Sequence, residues 1–116
     1  MKETDELFTR LDRDEDVDAI RRDIADLIAK SIEQKREAFG YWEKAQFAHA
    51  IAALAHNVQA RQRDSKSWLR LSLVCIENAH AQPDARSEEY TARSRHVEAL
   101  TFDQLMEDIR NLGGRA

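Results

Sequence analysis

Five aspartates are the first residues whose spacing could support chemistry. Asp12, Asp14, Asp16, Asp18 and Asp23 lie in DRDEDVDAIRRD, so with Asp12 as position 1 the carboxylates fall at positions 1, 3, 5, 7 and 12. Oxygen ligands at such spacings can wrap a single hard cation. The histidines His49, His56, His80 and His96 offer less. His49 and His56 are seven residues apart, about 10 Å along one helix, and a single metal cannot take both. His80 follows the only cysteine, Cys75, by five residues. That offset sets thiol and imidazole on different faces of a helix and separates a nucleophile from its base. The chain has no glycine-rich phosphate loop, no nucleophile-elbow serine and no HExxH. It reads as non-catalytic, with no cofactor.

Preceded by ELFTRL, segment 12–23 resembles the calcium loop of an EF-hand with its entering helix. Two positions depart from that pattern. Val17 stands where the loop turns on a glycine, and Asp23 is shorter than a bidentate glutamate. Val17, Ile20 and Ile24 also belong to a helical stripe. Calcium binding by this segment is one alternative; the plainer reading is an acidic turn that complements a helix dipole. A second alternative is a nucleic-acid-associated regulator using the basic connection 61–70, with Arg61, Arg63, Lys66 and Arg70 as its contacts. Residues 1–26 carry ten acids and five bases, against a mildly basic middle. Such asymmetry can steer a charged partner or hold the first helix against the rest.

The elements that must position these groups are helices. Three glycines and one proline are too few for an all-β domain, and 42% hydrophobic with 34% charged residues suits an amphipathic helical protein. At 116 residues the chain reads as one domain able to bury a core. A short helix is expected over 4–12, capped by Thr4, within an acidic N-terminal arm (1–16) that could be mobile. Val17, Ile20, Ile24, Leu27, Ile28 and Ile32 mark the next helix, with Gly40 able to end it.

A central alanine-rich helix follows over about 41–61. No formally charged side chain lies between Lys44 and Arg61. Phe47, Ile51, Leu54 and Val58 make a bulky stripe, and Tyr41, Ala45, Ala48, Ala52 and Ala55 a small one beside it. Apolar over two stripes, this rod is expected to sit inside the bundle. The segment QRDSK reads as a polar connection to an antiparallel helix from Ser65 or Ser67 to about Gln82, where Trp68, Leu71 and Cys75 share a row. An exposed helix is expected after Pro83. The last helix is announced by Thr101 and Gln104 as a capping box, with a Leu100–Leu105 staple and Gly113 and Gly114 as its stop.

The predicted architecture is an all-α bundle of four to six helices around the alanine-rich one. Net charge −4 leaves no global basic field to draw nucleic acid or anionic lipid. MKETDELF lacks the features of a signal peptide, and the lone cysteine fits a reducing compartment, so a cytoplasmic protein is expected. The function expected is that of a non-catalytic adaptor or regulatory partner that binds another protein or a second copy of itself as a dimer. Tyr41, Trp42, His49 and His56 are its expected contacts, since aromatic pairs at a helix entrance commonly anchor interfaces.

Overall fold

The computed structural model describes residues 1–38, 40–59, 62–81 and 101–112, the side chains of Ala38, Tyr41, Gln62, Arg63 and Asp64 excepted. Among these residues the chain forms helices and no strand. They are α1 (Lys2–Asp12), α2 (Val17–Gln34), a 3-10 turn (Arg36–Ala38), α3 (Tyr41–Gln59), α4 (Gln62–His80) and α5 (Phe102–Asn111). The expected all-α bundle is what forms, and none of these helices is long and apolar enough to cross a membrane.

Isoleucine spacing sets α2 against every other helix. Ile20, Ile24, Ile28 and Ile32 recur along one face of α2 and have no exposed surface. Ala25, Leu27 and Ala29 widen that face. α2 accordingly packs against α1, α3, α4 and α5. Its start is set by Asp16, whose carboxylate accepts from the Asp18 amide at 3.0 Å. It ends at Gln34, before Gly40, with the Lys35 amide returning to the Ser31 carbonyl at 3.0 Å.

The alanine-rich helix packs into the bundle, with Ala45, Phe47, Ala50, Ile51, Ala53 and Leu54 buried, but it is not enclosed over the whole of both stripes. Phe47, Ala50 and Leu54 of α3 are fully buried, yet Ala52 is exposed, Ala48 and Ala55 are half-buried, and Val58 is 54% exposed. One face of α3 meets the bundle; of the alanine row, Ala45 is buried, Ala48 and Ala55 reach the surface in part, and Ala52 faces out. The cause is the small yield of a methyl group. Each buried CH₂ contributes about 0.8 kcal/mol, so an isoleucine contributes several times more than an alanine. Both α2 and α3 bury a broad face, and the part of α3 left in water is the part whose side chains gain least from burial.

α3 and α4 pack closely along their lengths. The Ser72 hydroxyl donates to the Ala50 carbonyl at 2.9 Å, a buried bond that small side chains make possible. Asn57 Nδ2 donates to the Ser65 carbonyl at 2.9 Å and to Ser65 Oγ at 2.7 Å, tying the end of α3 to the start of α4. α4 begins at Gln62, so QRDSK forms its first turns instead of a loop. Leu69, Leu73 and Ile76 fill its inner face.

Residues 1–16 do not stand off as an arm. Leu7 and Leu11 are buried, and α1 packs on α2 and α4. Thr4 does not cap this helix. It lies within it, fully buried, with its hydroxyl donating to the Met1 carbonyl at 2.9 Å. At the far end Asp12 pairs with Arg70 at 3.1 Å, and Asp14 pairs with Lys66. These surface pairs contribute at most about 1 kcal/mol each; the two leucines supply most of the adhesion. In α5 the Thr101 hydroxyl accepts from the Gln104 amide at 3.1 Å, while the Gln104 side chain turns to Asp108 at 2.9 Å, so half of the capping box forms. Leu105, Met106 and Ile109 are buried where α5 meets α2 and α3. The expected helix after Pro83, the Leu100 end of the staple, and Gly113 and Gly114 lie outside the described residues.

His80 closes α4 edge-on against Phe47, ring centroids 6.4 Å apart, with its Nε2 buried and unpartnered. Burial lowers its pKa below the usual 6.5; Lys35 and the N-terminal amine push the same way, and Glu3 opposes them. The fold therefore prefers neutral His80. Stability is full above about pH 6.5 and falls as pH drops from there toward the folded-state pKa. The urea midpoint should fall between about pH 7.5 and 5.5, and His80→Phe, which keeps the ring against Phe47, should flatten that slope. An unchanged slope would assign the effect to other groups.

Candidate functional site

Trp42, His49 and His56 recur every seven residues, a step that keeps them on one side of a helix. That side is the seam where α3 meets α4. At one end Trp42 Nε1 donates at 2.6 Å to the Asn78 carbonyl in the last turn of α4, which also accepts from the Ala81 amide at 3.2 Å. At the other end the His56 ring stacks on Trp68, centroids 4.5 Å apart and planes 20° from parallel. The two helices thus run antiparallel with both ends of the seam marked by an indole. His49 is exposed between them. Three of the four contacts expected from the sequence lie along this seam, Trp42 and His56 at its opposite ends. Tyr41 opens α3, but its side chain is outside the described set. Trp42 is half-buried, held to α4 by its bond to Asn78.

Next to this seam lies a row that the sequence pattern did not single out. Leu71 is 45% exposed and Val74 44% exposed, although Cys75, assigned to the same row as Leu71, is buried. Ser67 is also exposed and Asn78 half-buried. Ser67, Leu71, Val74 and Asn78 step by 4, 3 and 4 residues, so they form one outward stripe of α4. Trp68 stands between this stripe and His56. The surface therefore runs from the alanine row of α3, across His56 and Trp68, to Leu71 and Val74. Its signal in the sequence was that α4 is apolar on more sides than one neighbour can cover.

No family model, curated protein or solved structure matches this chain. Its chemistry has to be read from the geometry alone.

The five aspartates are not gathered around a point. Asp12 ends α1 and pairs with Arg70; Asp14, held at φ 57°, pairs with Lys66; Asp16 caps α2; Asp18 pairs with Arg21 at 3.1 Å; Asp23 pairs with Arg10. Coiling from Val17 onward breaks up the loop that a calcium ion would need, because successive helical carboxylates point around the axis and not inward. Among the described residues no group of three or more histidines, cysteines or acids is placed to hold a metal. The same pairs occupy the basic side. Lys66 and Arg70 face Asp14 and Asp12, while Arg61 and the Arg63 side chain lie outside the described set. A phosphate reaching either described cation would compete with a carboxylate already in place. The charge asymmetry appears here as ion pairs between the first helix and the fourth.

A surface cleft of about 690 Å³ opens beside this turn, walled by Asp14, Asp16, Lys66, Asn57 and Val58. Its charged walls belong to the ion pairs just described. Cys75 is 6% exposed, and burial raises its thiol to about 11, so it stays protonated near neutral pH and packs as a small apolar group. His80 lies against Phe47 at the end of the helix.

Proposed function

We propose that this chain is a non-catalytic helical interaction module, a small adaptor or regulatory partner that binds another protein or a second copy of itself over the α3–α4 seam. The observation that carries this reading is the uncharged outward face of α3. One residue in three of the chain is charged, yet the segment from Ala45 to Ala60 has no charge while Ala48, His49, Ala52, Ala55 and His56 reach the surface. Helices that only meet water carry charges there, as α1 and α2 do with Lys2, Glu6, Arg22 and Lys30. A row of alanines lets a second helix backbone come close, and the flanking Trp42 and Trp68 offer the large, partly exposed rings that anchor interfaces. The buried, protonated Cys75 fits the cytoplasmic setting that the composition suggests.

The test is site-specific photocrosslinking in the native cells. A photoreactive residue at Ala52 or at Val74 should give discrete covalent adducts, and one at exposed Arg22 of α2 should give none. Equal silence from all three positions would remove the basis for this reading.

A further inference from the structure

The outward stripe of α4 is a palindrome in chemistry as well as in spacing. Read in either direction, Ser67, Leu71, Val74 and Asn78 run polar, apolar, apolar, polar with steps of 4, 3 and 4. Arg70 and Glu77 flank it on one edge, seven residues apart and opposite in sign. A surface with this property is complementary to itself after a two-fold rotation, which is the requirement for an isologous dimer.

We propose that a second copy of this chain covers the stripe, with α4 running antiparallel to α4 of its mate across a dyad between Ser72 and Leu73. This names the partner for the interaction reading above and rests on it. In that register Leu71 meets Val74 of the other copy, and Ser67 meets Asn78. The spacing is that of a coiled-coil seam, in which the polar layer fixes register and the flanking charges choose orientation. Both Arg70 and Glu77 fall one residue before the seam positions Leu71 and Asn78. In an antiparallel pair such positions face each other, so Arg70 of each copy lies about 3 Å in height from Glu77 of its mate, within reach of an ion pair.

Charge complementarity favours the second copy over an unrelated protein. Glu77 has no cationic partner among the described residues of its own chain. Arg70 gives Asp12 one nitrogen, Nη2 at 3.1 Å, and is 45% exposed, leaving other donors of its guanidinium for an acid across the dyad. A parallel arrangement would carry Arg70 and Glu77 of the two copies to opposite sides of the seam and leave both unmatched. The seam next to the stripe, with Trp68 and His56, then closes against the flank of the mate's α4.

Sedimentation equilibrium on the full chain, with the association constant read from a dilution series, tests this. The wild-type chain should be a dimer at about 100 µM. Arg70→Glu should weaken the dimer at least tenfold, because it places two acids opposite each other twice per dimer. Glu77→Arg should do the same and leaves the Asp12 pair intact, so it serves if the first variant folds poorly. The double variant Arg70→Glu/Glu77→Arg should return to within about threefold of the wild type. A monomeric wild type at about 1 mM, or a double variant as weak as the single ones, overturns the dimer. If the wild type is monomeric while crosslinks from Ala52 and Val74 persist to a different protein, only the identity of the partner is lost. If those crosslinks vanish too, the interaction reading falls with it.

Discussion

Truncating Ile28 to alanine is expected to cost about 3 kcal/mol, lowering the melting temperature by roughly 10–15 °C. Ile28 has no exposed surface and sits mid-way along α2, the helix that touches each of the other four. Removing its outer carbons leaves a cavity that four packed elements cannot all move to fill. Ala52→Lys in α3 is the matched comparison. Ala52 is exposed in the helix named from sequence as the centre, and its replacement should change stability by no more than about 0.5 kcal/mol. Thermal and urea melts of both variants, run dilute enough that association does not contribute, decide between the two views of the core. Equal losses from Ile28→Ala and Ala52→Lys would mean that Ala52 is as enclosed as Ile28.

The exposure of Ala52 on an uncharged helix has a physical reason. An uncharged helix is compatible with burial but does not require it. Alanine is nearly indifferent to the choice, so its stripe cannot tell an inner helix from a wall whose outer face awaits a partner. The periodicities of α2 and α5 were legible because bulky residues recur on one face only, and Thr101 marks the start of α5 with a side chain that can cap nothing else. α4 began earlier than expected because Gln62, Asp64 and Ser65 suit the first turn of a helix as well as a loop, and the Asn57 bonds to Ser65 settle the matter only in three dimensions. Thr4 was misread for a related reason. A threonine hydroxyl can cap a helix or bond back to a carbonyl one turn earlier, and only burial against the bundle selects the second.

The candidate site was legible in its aromatic and histidine members but not in its aliphatic ones. Trp42, His49 and His56 stand out because rings and imidazoles break an otherwise apolar run. Leu71 and Val74 do not stand out on a helix that also carries Leu69, Leu73 and Ile76. Which aliphatic row faces inward depends on where α1, α2 and α3 lie, and local pattern carries no such information. The acidic segment shows the same limit from the other side. Its spacing suggested a shared cation, but Arg70 and Lys66, far along the chain, meet Asp12 and Asp14 one by one.

Leu71→Asp is expected to leave the fold standing and to weaken association at least 100-fold. Nearly half of the Leu71 surface already meets solvent, so the monomer loses only part of a leucine's burial, about 1 kcal/mol. Against Val74 of a facing helix the same carboxylate would be stripped of water with no cation at hand, and the arrangement puts one on each side of the dyad. Val58→Lys supplies the comparison. Val58 is the most exposed large aliphatic among the described residues, but it lines the cleft beside Asp14 and Lys66, away from the α4 stripe. Size-exclusion chromatography with light scattering, with circular dichroism to confirm helix content, should show Leu71→Asp monomeric and Val58→Lys unchanged. If both lose association alike, apolar exposure in general is responsible, and the ordered row from Ser67 to Asn78 has no special part in it.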